Sequence, residues 1–140
     1  MHPRKERAAL GPPVPSETGT ITVEELQQAI RKLRTKRAAV QVPAEYLRAL
    51  EAEGVVDENH WLLRYLQMCW ETKTTPKAWH LAKVIPVYKK GNPSECDNYR
   101  PISLVSVLYK LYATILLNRL KAGGAESRLS SRQFGFRSNR

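Results

Sequence analysis

Residues 79–104 read WHLAKVIPVYKKGNPSECDNYRPISL, which is two short apolar runs separated by a polar loop. The first run, residues 84–88, is rich in residues that favour β-strands, and residues 91–94 after it are typical of a turn. A second strand is predicted over residues 99–105. The two runs predict an antiparallel β-hairpin whose loop has roughly eight to ten residues, longer than common hairpin loops. Because Pro86 has no N–H group to donate, we expect its strand at a sheet edge or with a bulge.

Helices are predicted on both sides of this hairpin. From the apolar spacing and the end signals, they cover residues 23–34, 44–52, 58–72 and 106–121. Thr22 and Glu25 form a capping box for the first helix. Pro43 is expected at the first position of the second helix, which ends near Gly54, and Asp57 is expected to cap the third. The third helix is expected to bury a wide apolar stripe made of Leu62, Tyr65, Leu66 and Cys69, widened by Trp61, Met68 and Trp70.

The fold class predicted from these elements is α+β, with helices packed around a β-hairpin. The 140 residues have 42% hydrophobic content, which is enough for one domain with a modest core. Residues 1–19 contain four prolines and no apolar periodicity, so they are expected to form a disordered tail. The folded domain is then expected to cover residues 20–140.

The positive charge of the chain is concentrated in its second half. The whole chain has 23 Lys and Arg against 13 Asp and Glu, a net charge of +10. Residues 77–140 contain 12 basic and 3 acidic residues, which leaves +9, whereas residues 1–76 contain 11 and 10. A basic surface of this kind favours phosphate groups, either in a nucleic-acid backbone or in a nucleoside triphosphate. Composition alone is equally compatible with a solvated basic face.

Three cations flank the hairpin loop and are the candidate phosphate-binding residues: Lys89, Lys90 and Arg100. If the two strands pair, all three can point toward the same space. Lysine offers a compact charge and arginine a two-pronged fork, and both suit phosphate oxygens. The spacing alone favours the simpler alternative, an ordinary hairpin with charged residues beside its turn.

Other kinds of site find little support in the sequence. Two-metal phosphoryl transfer needs clustered acidic ligands, but the only aspartates are Asp57 and Asp97, expected at a helix cap and in a turn. No P-loop occurs, and the two cysteines and three histidines have no zinc spacing. We therefore assign no catalytic or metal-binding residue. Since no apolar run approaches the roughly 18 residues needed to span a membrane and no signal sequence is present, a soluble intracellular protein without membrane contact is expected. Nucleus and cytoplasm are indistinguishable, and the oligomeric state is unknown.

Several motifs occur in one characteristic order: W-x-x-A-K-V-I-P-V-Y-K-K-G, N-Y-R-P-I-S-L, Y-K-L, N-R-L and Q-x-G-F-R-x-x-R. In these motifs residues 79–140 resemble the N-terminal part of the reverse transcriptase domain of non-LTR, LINE-like retrotransposons. A looser similarity reaches back to Thr22 through Glu24-Glu25-Leu26 and Pro43. The G-x-D stretch usual in that family after the first helix is absent here. The resemblance nevertheless covers most of the chain.

The resemblance implies a fingers subdomain and the start of a palm, truncated before the catalytic palm of a right-hand polymerase. It implies that Lys89 or Lys90 and Arg100 contact the template or the triphosphate of the incoming nucleotide. Gln133 and Arg137, in a further motif, become possible nucleic-acid contacts. The implied partners are an RNA template, a DNA primer and a dNTP. Mg²⁺ is expected for the complete family enzyme and no cofactor for this chain, because the family's metal-binding aspartates lie beyond Arg140.

Three interpretations follow from this resemblance. The chain is a fragment of an RNA-directed DNA polymerase that contributes phosphate binding and is inactive alone, or it is a non-enzymatic RNA- or DNA-binding remnant. The third interpretation is an inert relic that folds poorly because its apolar faces lack the palm.

Overall fold

The structure is a computed structural model that describes residues 19–36 and 42–125. The expected tail, most of the loop that lacks G-x-D, and the motif with Gln133 and Arg137 lie outside the described residues. Gly19–Ile115 form one compact unit, which contains the hairpin. Residues 116–125 are the described part of a second unit.

The described residues form four α-helices and one two-stranded antiparallel sheet, which confirms the α+β class. The elements, in chain order, are α1 (Val23–Arg31), α2 (Ala44–Ala52), α3 (Trp61–Thr72), β1 (Lys83–Tyr88), β2 (Tyr99–Leu104) and α4 (Val107–Ala122). Short 3-10 turns precede the two strands, at Lys77–His80 and Cys96–Asn98.

The predicted start of α1 is confirmed, but its end lies earlier than expected. The Thr22 N–H donates to Glu25 Oε2 at 2.9 Å and the Glu25 N–H donates to Thr22 Oγ1 at 3.3 Å, which is the predicted capping box. The helix ends at Arg31, and the Leu33 N–H then turns back to the Ile30 carbonyl at 3.0 Å. Leu33 is still buried, so the apolar pattern continues for two residues after the backbone has left the helix.

The predicted caps of the next two helices need correction. Pro43 is the N-cap residue of α2, in extended conformation, rather than its first helical residue. The N-cap of α3 is His60, whose Nδ1 accepts the Leu62 N–H at 3.3 Å. Asp57 instead accepts the Asn59 N–H at 2.9 Å. The aspartate carboxylate is therefore used in the turn before the helix, and His60 caps the helix instead.

The core of the larger unit lies among the first three helices. Its fully buried large side chains include Ile21, Leu26, Ile30, Leu47, Leu62 and Leu66. Two part-buried side-chain amides connect segments of this core, because Gln67 Nε2 donates to the Ile21 carbonyl at 2.8 Å and Gln27 Nε2 donates to the Val56 carbonyl at 2.9 Å. These bonds satisfy main-chain carbonyl groups that lie outside the helices and strands and therefore have no partner within such an element.

The prediction that α3 buries a wide apolar stripe is wrong at two positions. Leu62, Leu66 and Cys69 are buried as expected, but Trp61 is 53% exposed and Met68 is 52% exposed. The two exposed residues are seven apart and so share the helix side that does not face the core. The buried stripe is thus narrower than the residue types indicated.

The hairpin has the predicted antiparallel pairing without a bulge. Val87 pairs with Arg100, Pro86 with Pro101, and Tyr88 with Tyr99. Its strands are largely exposed, so the expectation that helices pack around the hairpin is wrong. The helices pack on one another instead, and the hairpin extends from a buried Trp79 whose ring lies 6.0 Å from Tyr65 and 5.6 Å from Tyr112, centroid to centroid.

The two prolines fit this pairing because of where they stand in the ladder. The Lys89 N–H donates to the Asn98 carbonyl at 2.8 Å, which marks that pair as hydrogen-bonded. Hydrogen-bonded and non-hydrogen-bonded pairs alternate in an antiparallel ladder, so Pro86 and Pro101 form a non-hydrogen-bonded pair. The hairpin loses no ladder bond to them. Both prolines instead remove donors from the outer edges, which confirms the expected edge position.

Candidate functional site

The hairpin presents two different faces, because side chains alternate along each strand and opposite residues share a side. What we call the basic face carries Lys83, Ile85, Val87 and Lys89 from the first strand and Arg100, Ile102 and Leu104 from the second. What we call the tyrosine face carries Val84, Pro86 and Tyr88 opposite Ser103, Pro101 and Tyr99.

Two of the three candidate phosphate-binding cations share the basic face. Lys89 follows the last residue of β1, and Arg100 pairs with Val87, so the two cations are diagonal neighbours across the strands. Lys90 lies in the bend after the strand, where the alternation no longer fixes its side. All three are exposed, and no described carboxylate forms an ion pair with them. The structure therefore brings Lys89 and Arg100 together, whereas a role in binding stays a prediction for all three.

The loop between the strands is closed around Asn98. The Asn98 side-chain Nδ2 donates to the Asn92 carbonyl at 2.9 Å and to Glu95 Oε2 at 3.2 Å. The main-chain carbonyl of Asn98 accepts the Lys89 N–H. The Asn98 amide also lies against Gly91, where a Cβ atom would come within 2.7 Å of Nδ2. Gly91 has a φ of +99°, which side chains rarely adopt, so glycine is needed there for two independent reasons.

Two tyrosines of the tyrosine face hold the same loop from its ends. The Tyr88 hydroxyl donates to the Gly91 carbonyl, and the Tyr99 hydroxyl donates to the Pro93 carbonyl at 2.9 Å. Their rings meet edge to face, with centroids 5.6 Å apart. The sequence analysis missed this use of Tyr88, Tyr99 and Asn98. The turn-forming composition of the loop was visible, but which carbonyl each side chain reaches depends on the folded loop.

The described residues do not fit a magnesium site. In residues 19–36 and 42–125, no group of three His, Cys, Asp or Glu side chains lies close enough together to hold a metal ion. Asp97 lies in the loop, and Glu95, the nearest acid along the chain, is hydrogen-bonded to Asn98. We therefore derive no chemical step through Mg²⁺.

Among the described residues, three groups on or beside the helices have shifted pKa values. Burial raises the pKa of the Cys69 thiol and that of the Tyr65 hydroxyl, since both neutral forms are favoured away from water. A hydrogen bond from the Lys36 N–H lowers the pKa of the Glu45 carboxyl. Cys96, in the hairpin loop, is exposed. A search of the described helices for a candidate membrane span finds none.

Comparison with known proteins identifies relatives of one kind. No family model matches the chain. Over 121 residues it is 35% identical to a probable RNA-directed DNA polymerase from transposon BS of Drosophila melanogaster. It is also 32% and 31% identical to the RNA-directed DNA polymerases from the mobile element jockey of Drosophila melanogaster and Drosophila funebris.

Each of these alignments covers 84% of the chain but only 13% of the relative. The alternatives of a binding remnant or an inert relic are not favoured by such relatives. Over the part that aligns, the chain therefore belongs with the RNA-directed DNA polymerases of non-LTR, LINE-like retrotransposons, as the counterpart of one segment of such a protein.

Proposed function

We propose that this chain is the part of a reverse transcriptase that holds phosphate groups, in the manner of the fingers subdomain of a right-hand polymerase. The ligands are the backbone of an RNA template or the triphosphate of an incoming dNTP, with a DNA primer completing the substrate in the whole polymerase. The observation that carries the proposal is the pair of exposed cations, Lys89 and Arg100, on one face of the hairpin.

The physical case rests on charge and on the absence of competition. Neither cation has an ion-pair partner among the described residues, so a phosphate would not have to displace a carboxylate. Arginine can bind two phosphate oxygens at once, and lysine supplies a compact charge beside it. Lys90 adds a third cation next to the pair. Because all three are exposed, each contact alone is weak, and binding depends on their acting together.

The test is binding of a short single-stranded RNA and of dATP, measured over a range of salt concentrations. If three cations neutralise three phosphates, log K for RNA should fall against log salt with a slope of about −2. Arg100→Ala and Lys89→Ala should each weaken binding and reduce that slope by about 0.7. The two ligands separate the two sources of phosphate, because only a backbone site would prefer the RNA.

Lys83→Ala is the matched control. Lys83 is an exposed lysine on the same face and strand, about 20 Å from Lys89 at about 3.3 Å per residue. Its loss changes the net charge equally but should leave dATP binding unchanged. Equal losses for all three variants would mean that the net charge binds the ligand rather than this site, and no loss with Lys89→Ala or Arg100→Ala would refute the proposal.

The chain alone is expected not to polymerise. Its sequence has two aspartates and no adjacent pair of them, and the polymerase relatives are far longer than the aligned segment. Template-primed incorporation of nucleotides in the presence of Mg²⁺ tests this expectation. Incorporation by the purified chain would show that a metal site had been overlooked.

A further inference from the structure

We infer that Asn98 is a positioning residue for phosphate binding, which it supports by holding the hairpin loop so that Lys89 lies beside Arg100. The inference rests on the proposed function, because it concerns the same two cations. Asn98 carries no charge and lies at the end of the loop opposite Lys89. Its effect would therefore be exerted through geometry alone.

The hydrogen bonds of the loop converge on this residue. Asn98 accepts the Lys89 N–H with its carbonyl and donates its own N–H to the Glu95 carbonyl at 3.2 Å. Its side chain reaches the Asn92 carbonyl and the Glu95 carboxylate. One residue thus connects both ends of the loop with its middle. Arg100 is only two residues further along, in β2, so this closure adds to the strand pairing in setting its position relative to Lys89.

The close approach of Gly91 is a second, independent indication. The amide group of Asn98 lies against the glycine so closely that a Cβ atom there would be 2.8 Å from both Cγ and Oδ1. The Asn98 amide can therefore lie in this position only because residue 91 has no side chain. The tyrosine hydroxyls add bonds from the opposite face, at the Gly91 and Pro93 carbonyls.

A loop closed in this way reduces the cost of binding. Immobilising a long side chain on binding costs free energy, and a ligand that meets cations already held near their bound positions loses less of it. Without the Asn98 side chain, the lysine would keep its charge and its main-chain bond to residue 98, but the loop between them would lose the bonds to Asn92 and Glu95 and be held less firmly. The number of neutralised phosphates should then be unchanged while the affinity falls.

The experiment is a double-mutant cycle on the full chain with a fluorescent short single-stranded RNA as ligand. We expect Asn98→Ala to weaken binding about three- to tenfold while the salt slope stays that of the unmodified chain. In a Lys89→Ala background, Asn98→Ala should have a clearly smaller effect on affinity, since the lysine that Asn98 positions has been removed. Asn59→Ala, at an exposed asparagine in the turn before α3, is the matched control and should change nothing.

Other outcomes would overturn the inference or the proposed function separately. Unchanged binding by Asn98→Ala, or an equal loss in both backgrounds, would remove Asn98 from the site while leaving the cations in it. If Lys89→Ala and Arg100→Ala bind RNA normally, the proposed function fails first. Should Asn98→Ala not fold, Tyr99→Phe removes only the hydroxyl that reaches Pro93 and should give a smaller loss of affinity with the same unchanged slope.

Discussion

The helical core and the hairpin are stabilised in different ways. In the core, large side chains such as Leu26 and Leu66 are removed from water, and the few hydrogen bonds between segments are secondary. In the hairpin nearly every residue is exposed, and order comes from the strand pairing and from short-range bonds around Asn98. Burial stabilises a core in proportion to area, whereas local bonds define a geometry at little net stability. The hairpin, which carries the candidate cations, thus gains less stability from burial than the core does.

The largest effect should come from removing a core side chain. Leu66→Ala should lower the free energy of unfolding by about 2–5 kcal/mol, because Leu66 is fully buried and a cavity would remain. Met68→Ala, on the exposed side of the same helix, should stay within about 0.5 kcal/mol. Denaturant unfolding measures both. Similar losses for the two variants would mean that the exposed side of α3 is covered in solution.

Strain introduced into the hairpin loop should increase amide exchange near the loop only. Gly91→Ala combines an unfavourable φ with a collision against Asn98, and we expect the Lys89 amide to exchange with solvent at least about tenfold faster, corresponding to about 1.4 kcal/mol of local opening. Gly54→Ala, where φ is +70° but space is open, is the matched control and should leave that amide unchanged. If Gly91→Ala instead speeds the exchange of all core amides equally, the hairpin and the core unfold together and the contrast between them disappears.

A helix cap offers a smaller test within the core. Thr22→Ala removes the hydroxyl that accepts the Glu25 N–H, and should cost about 1 kcal/mol of stability. Thermal unfolding would detect the loss, and Thr22→Ser, which keeps the hydroxyl, should restore most of it. Under the proposed function, RNA binding should be unaffected below the melting temperature.

The smallest expected effect is a pH dependence of stability that comes from Cys69. Burial raises the pKa of Cys69 in the folded chain, so its favourable contribution is complete below the unfolded pKa of about 8.5 and is lost as the pH rises through the folded value. Stability should therefore decline slightly at alkaline pH, and Cys69→Ser should reduce that decline. A thiol reagent should modify Cys96 in the folded chain and Cys69 only after unfolding. Equal labelling rates would contradict the buried position of Cys69.

Sequence reasoning worked best where the cause lies within a few residues. The capping box of Thr22 and Glu25, the second helix, and the paired strands with edge prolines all follow from local chemistry. It was wrong at Asp57, because two nearby residues could cap the helix and the aspartate was used in its own turn. It was wrong at Trp61 and Met68, because an apolar side chain does not reveal which side of a helix meets the core.

The sequence by itself determined the class of fold, the hairpin with its cations at the loop, and the relationship to retrotransposon polymerases, since each of these depends on residue types in a fixed order. Only the tertiary structure decided that Lys89 and Arg100 share a face, that the strands of the hairpin are largely exposed, and that the Asn98 side chain lies against Gly91. These features depend on the register of the two strands and on distances between residues seven to eleven positions apart in the chain. Neither quantity is contained in local propensity.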